Sequence, residues 1–266
     1  MARKVNMGLV QILPRKWDLD GNWARAKQLL ENLDPGETDL IITPECLVDG
    51  YAASQAPKDP ADGWPDRQRW LRECAIEVDS SQIIGEASKI AGRLGSYLVL
   101  GFTQALGDGK AANAAGVFDR DGELIVTYHK THLQNHDLSF EAGGSLEVID
   151  ADFGRFGVLI CADRRWPEAM RCLRLMGAEM VANPTYGMHG DLNRAMMRTR
   201  AYENGFFIAF AHPQLSMVIG PGGDVEVEEE SAVDTFVEHT VDLDHVRDDH
   251  VRDRRVDLYR DCLLKG

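Results

Sequence analysis

The stretch Gly157 to Glu168, GVLICADRRWPE, does most to limit what this chain can fold into. Its apolar run Val158-Leu159-Ile160 is short and shows no polar alternation, the pattern of a strand covered on both faces. The run stops at Cys161, charged residues follow, and Trp166-Pro167-Glu168 has the form of a helix start with proline at the first helical position. A doubly covered strand followed by a helix belongs to a sheet with helices packed on it, so the chain is expected to be α/β. The same switch leaves a thiol where the chain leaves the core, near helix-start amides that stabilise negative charge on sulfur or oxygen.

The pattern recurs along the chain. Val5 to Leu13 alternates like a strand, Asn22 to Leu33 sets Trp23, Ala26, Leu29 and Leu30 at helical spacing, and Asp34-Pro35-Gly36 stops it. Leu40-Ile41-Ile42 is a short strand that ends in Thr43-Pro44-Glu45-Cys46. A helix over Ser81 to Leu94 precedes a strand over Tyr97 to Phe102. Ala112 to Phe118 and Leu124 to His129 flank Asp119-Arg120-Asp121-Gly122, the chemistry of a hairpin, which delivers His129-Lys130-Thr131-His132. Strands over Leu146 to Ile149 and Arg155 to Ile160 lead to Cys161. A helix over Pro167 to Met176, a strand over Met180 to Ala182, a helix over Leu192 to Asn204 and a strand over Phe206 to Ala211 follow. Ser216 to Ile219, Val225 to Val227 and Phe236 to Val241 read as a closing antiparallel group. Tyr51 to Pro65, rich in Pro, Asp, Gly and Ala, reads as an irregular loop and a candidate lid. With no repeat or linker in view, residues 1–266 are expected to form a single domain, and 244–266 a charged tail, either a solvated helix or a subunit-contacting arm.

Composition narrows the function. A formal charge of -14 disfavours nucleic acid and anionic membrane as partners and leaves small molecules or other proteins. Five cysteines, odd in number, scattered and without CxxC spacing, point to a reduced, cytoplasmic setting. No run approaches the length needed to span a bilayer.

Glu45, Lys130 and Cys161 each stand at or just past the end of an expected strand, where open α/β sheets place their sites. Brought together, they supply a nucleophile, a base for its proton and a cation for developing negative charge. Taken singly, each has a plain alternative as a solvated carboxylate, a surface lysine and a core cysteine. His129, His132 and His136 suggest a metal site, but successive strand residues face opposite ways and no carboxylate-rich ligand set accompanies them.

The flanking residues add a resemblance. Pro44-Glu45 with Gly50-Tyr51, then Tyr128-His129-Lys130-Thr131-His132-Leu133, then Gly157 to Glu168 around Cys161 resemble, in that order, the motifs of the nitrilase superfamily of carbon-nitrogen hydrolases. The resemblance runs from Val5 to about Val241. It implies a four-layer αββα sandwich, commonly dimeric, and a Glu-Lys-Cys triad of Glu45, Lys130 and Cys161 that cleaves a small amide, ureido compound or nitrile through a thioester. It implies no metal and no organic cofactor. A homo-oligomer, dimer or higher, is expected, with a small-molecule amide or ureido substrate.

Many members carry a second glutamate after the lysine motif; here the aligned residue is Asp137, with Glu141 displaced. Asp163-Arg164-Arg165-Trp166-Pro167-Glu168 resembles the N-carbamoyl-D-amino acid amidohydrolases, which implies an arginine holding a substrate carboxylate, Arg165 ahead of Arg164, with His132 matching that group's histidine. Ala162 departs from that group's polar residue, and Asn183-Pro184-Thr185-Tyr186-Gly187 is more similar to aliphatic amidases. Asn183 and Tyr51 complete the expected substrate-binding set. The alternatives to amide or carbamoyl cleavage are a catalytically silent scaffold that keeps the fold and nitrile hydrolysis.

Overall fold

The computed structural model describes residues 2–55 and 71–259. Its strands are β1 (Lys4–Gln11), β2 (Leu40–Ile42), β3 (Tyr97–Gly107), β4 (Lys110–Phe118), β5 (Leu124–His129), β6 (Glu147–Ala151), β7 (Gly154–Val158), β8 (Met180–Pro184), β9 (Phe207–Ala211), β10 (Leu215–Ile219), β11 (Val225–Glu230) and β12 (Thr235–Asp242). They form two six-stranded sheets, in the orders β12-β1-β2-β3-β4-β5 and β11-β10-β9-β8-β7-β6.

Alternation along each strand builds the layers. In β2, Leu40 and Ile42 enter the core between the sheets, while Ile41 faces the other way with Val10, Leu98, Leu100 and Phe102. That outer face packs on α1 (Leu19–Glu31) through Trp23, Ala26 and Leu30, and on α2 (Gln82–Leu94) through Ile83, Ala87, Ile90 and Leu94. The second sheet is covered by α3 (Pro167–Leu175) and α4 (Asp191–Asn204), which bury Met170, Leu173, Met197 and Ala201. The result is a four-layer αββα sandwich, as the motifs implied. Gly95 and Gly205 end α2 and α4 in the left-handed region, at φ 62 and 66, and return their N–H groups to the last-turn carbonyls.

Strand sense explains where a site forms. β2 runs parallel to β3, and two antiparallel steps, β3 to β4 and β4 to β5, restore that sense, so β2 and β5 end on the same edge. β7, β8 and β9 are parallel in the facing sheet. Glu45, Lys130 and Cys161 follow β2, β5 and β7.

Three expectations change or sharpen. The closing strands do not stay together: β10 and β11 extend the second sheet, whereas β12 crosses to pair with β1, Val5 opposite Val241 and Leu9 opposite Val237. Val237 and Val241 thereby reach the inter-sheet core, and Phe236 covers Gly8, where a Cβ would lie 2.0 Å from its ring. Between β7 and α3 the helix begins at Pro167 as expected, but the connection before it, left undefined by the sequence, is a tight 3-10 turn, Cys161–Arg165. Among the described residues of the tail, 244–259, α5 (Asp249–Arg252) and α6 (Val256–Tyr259) are separate single turns that bury no side chain; residues 260–266 lie outside the described residues. Most of the candidate lid, residues 56–65, lies outside the described residues; Ala52–Gln55 form a 3-10 turn.

Candidate active site

After β2, Thr43 and Pro44 carry the chain over β3 at Gly101, where a Cβ would come within 2.2 Å of the Pro44 carbonyl oxygen. Only glycine allows that approach. It seats Glu45, fully buried, with Oε1 accepting from Lys130 Nζ at 2.9 Å and Asn113 Nδ2 at 2.7 Å, and Oε2 accepting from the Tyr186 backbone N–H at 2.9 Å.

Lys130 continues β5 by one residue, its N–H bonding the Asn113 carbonyl at 2.9 Å. Its ammonium, also fully buried, lies 2.9 Å from Glu45 and 2.8 Å from Asp137 Oδ2, and donates to the Tyr51 hydroxyl at 3.4 Å. Tyr51 in turn donates to Asp137 Oδ1, and the Gln134 N–H donates to Asp137 Oδ2 at 3.0 Å. Burial opposes the charge on Lys130, but Glu45, the Cys161 thiol and Asp137 outweigh it and push the lysine pKa well up. Burial, reinforced by Glu45 and Asp137, holds the Tyr51 phenol protonated far above its usual range. A single cation between two buried carboxylates is thus locked in its charged form.

Cys161 takes a left-handed φ of 43, rare outside glycine, and is 7% exposed. The turn is fixed by Asp163, whose N–H bonds the Ile160 carbonyl at 3.0 Å and whose Oδ2 accepts the Ile160 N–H at 3.0 Å. Asp163 further accepts from Tyr128 OH at 2.8 Å, Thr131 Oγ1 at 3.0 Å and His132 N–H at 2.8 Å. One buried carboxylate therefore ties the Cys161 turn to the segment that carries Lys130.

The other expected residues fall in different places. Arg164, 1% exposed, donates through Nη1 to Cys161 Sγ at 3.4 Å. Arg165 is exposed and donates to Gln134 Oε1 at 2.6 Å, so the arginine brought to the sulfur is Arg164, while Arg165, the one expected to meet a substrate carboxylate, keeps its guanidinium at the surface. His132 lies 2.9 Å from Asp163 through Nδ1 and stacks on Trp166 at 4.5 Å, a brace for the turn rather than part of the Lys130 cluster. Asn183 is fully buried and spends its amide on the Leu159 carbonyl at 2.6 Å, inside the second sheet. Tyr51 belongs to the Lys130–Asp137 network and is 4% exposed. Among the described residues no group of His, Cys, Asp and Glu is arranged to hold a metal ion; His129 Nε2 meets Gln104 Oε1 at 2.6 Å.

Asn113, Asp163 and the Tyr186 N–H were not anticipated from the sequence. Asn113 did carry a signal, a lone amide in the small-residue strand KAANAAGVF. Asp163 was masked by its more conspicuous neighbours. A backbone donor such as Tyr186 leaves no mark in residue type.

A thiol on a strained elbow beside a buried carboxylate–ammonium cluster, in a sandwich of two sheets between helix layers, marks a nitrilase-type α/β protein. The comparisons with known proteins name the family. The family model described as carbon-nitrogen hydrolase matches residues 6–250, and the chain belongs to that family. It is 28% identical to a Pseudomonas protegens protein named hydrolase in pqqF 5'region, over 79% of this chain and 70% of that protein. It is 26% identical to omega-amidase NIT2 of Danio rerio over 96% of each chain. The carbon-nitrogen hydrolase of Helicobacter pylori G27 shares the fold, with a TM-score of 0.78 at 21% identity, covering 100% of this chain and 99% of that one.

Proposed function

We propose that this chain is a cofactor-independent cysteine hydrolase that cleaves the amide or N-carbamoyl C–N bond of a small molecule through a thioester. The observation that carries the reading is the buried contact of Glu45 with Lys130 at 2.9 Å, close enough to Cys161 for the thiol to act on the lysine's charge. Glu45 takes the thiol proton, and sulfur attacks the substrate carbon. Lys130, its charge held by Glu45 and Asp137, stabilises the oxyanion together with the Ala162 backbone N–H. Glu45 returns the proton to the departing nitrogen, then draws one from the water that opens the thioester. Asp137 serves as the second carboxylate, fixing the ammonium alongside Glu45.

The omega-amidase likeness favours an amide bond. Arg165, exposed and bonded among the described residues to the neutral Gln134 and Met188, has guanidinium donors suited to a substrate carboxylate. The exposed Leu175, Met176, Leu192 and Tyr202 on and beside α3 and α4 support a homo-oligomer, and the free Cys46, Cys74, Cys161 and Cys172 support a cytoplasmic setting. Among the described residues no helix is long and apolar enough to cross a membrane.

The test is ammonia release from a panel of N-carbamoyl amino acids, ω-amides, aliphatic amides and nitriles. Turnover of an amide or carbamoyl compound that vanishes in Cys161→Ala is expected. Turnover of nitriles alone would move the assignment to nitrile hydrolysis, and silence across the whole panel would favour a scaffold.

A further inference from the structure

We propose that Arg164 is itself a catalytic residue, one that holds Cys161 as the thiolate before attack and receives the sulfur again as leaving group; this rests on the reading of Cys161 as nucleophile. The contact is built into the turn. Cys161 and Arg164 stand three apart in a single 3-10 turn, which brings residue i+3 over residue i, and Nη1 donates to Sγ at 3.4 Å.

The guanidinium is 1% exposed and pinned on its other sides. Nε donates to Asn193 Oδ1 at 2.9 Å, Nη2 donates to the Met188 carbonyl at 2.8 Å, and the Phe210 ring lies 5.4 Å from the guanidinium carbon. All three partners are neutral. Arginine does not shed its proton, and a buried cation without an anion is costly. Among the described hydrogen-bond partners of Arg164, the one group able to become an anion is the Cys161 sulfur. Lys130 differs, since two carboxylates already face it. The neighbouring His212 supplies no counter-charge either, since burial, His189 and Arg164 push it down to about 4 and it stays neutral there.

The balance of the reaction is kept. Glu45 accepts the thiol proton and sulfur becomes negative beside Arg164. The S–C bond forms, and an electron pair moves to the carbonyl oxygen held by Lys130. The C–N bond breaks, and nitrogen leaves with the proton from Glu45. Water then gives a proton to Glu45 and adds to the thioester. The C–S bond breaks, returning its pair to sulfur beside Arg164, and Glu45 reprotonates it. Arg164 keeps its own protons throughout.

The test compares full-length wild type, Arg164→Gln and Arg164→Lys in three measurements: alkylation by neutral iodoacetamide, the ultraviolet thiolate band taken as the difference from Cys161→Ala, and steady-state kinetics on an amide from the panel. Loss of a charge-assisted bond predicts about tenfold or greater slowing of alkylation and of kcat in Arg164→Gln, with the thiolate band reduced. Arg164→Lys is expected to recover part of both. Wild-type alkylation with an unchanged band overturns the proposal, as does a rise confined to KM for carboxylate-bearing substrates. If Arg164→Gln does not fold, Asn193→Ala keeps the charge but frees Nε, and alkylation there at the wild-type rate also overturns it. Failure of the nucleophile reading is distinct: Cys161→Ala would then retain turnover.

Discussion

Cys161 stands between two unlike neighbourhoods. On one flank Lys130 lies between the buried carboxylates of Glu45 and Asp137, so the charges largely compensate one another inside the protein. On the other, Arg164 is held by an amide, a carbonyl and a phenyl face, and nearby His212 is kept neutral. The first flank is equipped to move a proton and to meet an oxyanion. The second offers a fixed positive charge that, among the described residues, has no anionic hydrogen-bond partner and that the proposal pairs with the ionised sulfur. On the proposed reading of Cys161 as nucleophile, the two cations have separable tasks, because what surrounds each of them differs.

The sharpest way to break this picture is to remove the sulfur. Cys161→Ala is expected to reduce ammonia release to background while the melting temperature stays close to wild type, since little volume is lost. Substantial remaining turnover would leave both flanks without a purpose.

Removing the compensated cation comes next. Lys130→Met should abolish turnover and also destabilise the fold by about 3–5 kcal/mol, because two carboxylates are left buried without their partner. Denaturant unfolding measures this. A stability equal to wild type would mean that the flank is not compensated as described.

The neutrality of the second flank has a pH signature. His212 Nδ1 accepts from the Gln214 and Leu215 N–H groups at 3.0 and 3.1 Å, bonds that protonation would remove. Its folded value of about 4 lies below the ordinary 6.5, so the unfolded chain binds the extra proton first as the pH falls. The stability contributed by neutral His212 is complete above about 6.5 and lost toward 4, a change of about 3 kcal/mol. Relative to His212→Gln, wild type should therefore lose stability across that window in denaturant titrations. A difference that does not vary with pH would place no titrating histidine there.

The smallest expected effect separates the neighbouring arginines. Arg165→Ala, at the surface, should leave stability within about 0.5 kcal/mol and kcat on neutral amides unchanged. It should raise KM for carboxylate-bearing substrates by roughly tenfold, the order of one charge-assisted bond. Equal effects on both substrate types would show that Arg165 does not read the carboxylate.

Much of this was legible in the residues. Glu45, Lys130 and Cys161 each end a strand, and the strand runs were clear because short apolar segments such as Leu40–Ile42 can be covered only inside a sheet stack. Ranking Arg164 against Arg165 was not legible. With a helix start expected at Pro167, residues 162–166 read as a connection of undefined direction. The 3-10 turn decides which arginine folds back over the thiol. Its controlling residue, Asp163, acts through bonds to Tyr128 and Thr131, more than thirty positions away in sequence. The destination of β12 was hidden for a related reason: an alternating strand declares which face is apolar but not which neighbour will cover it. Here Gly8 and Phe236 make that choice by fitting together.

The most direct test of the central claim is to mix enzyme with an amide substrate, quench in acid during turnover and locate added mass by peptide mass spectrometry. An acyl group on the Cys161 peptide, absent in Cys161→Ala, is the predicted result. Turnover with no covalent adduct, or with the acyl group on another residue, would contradict it.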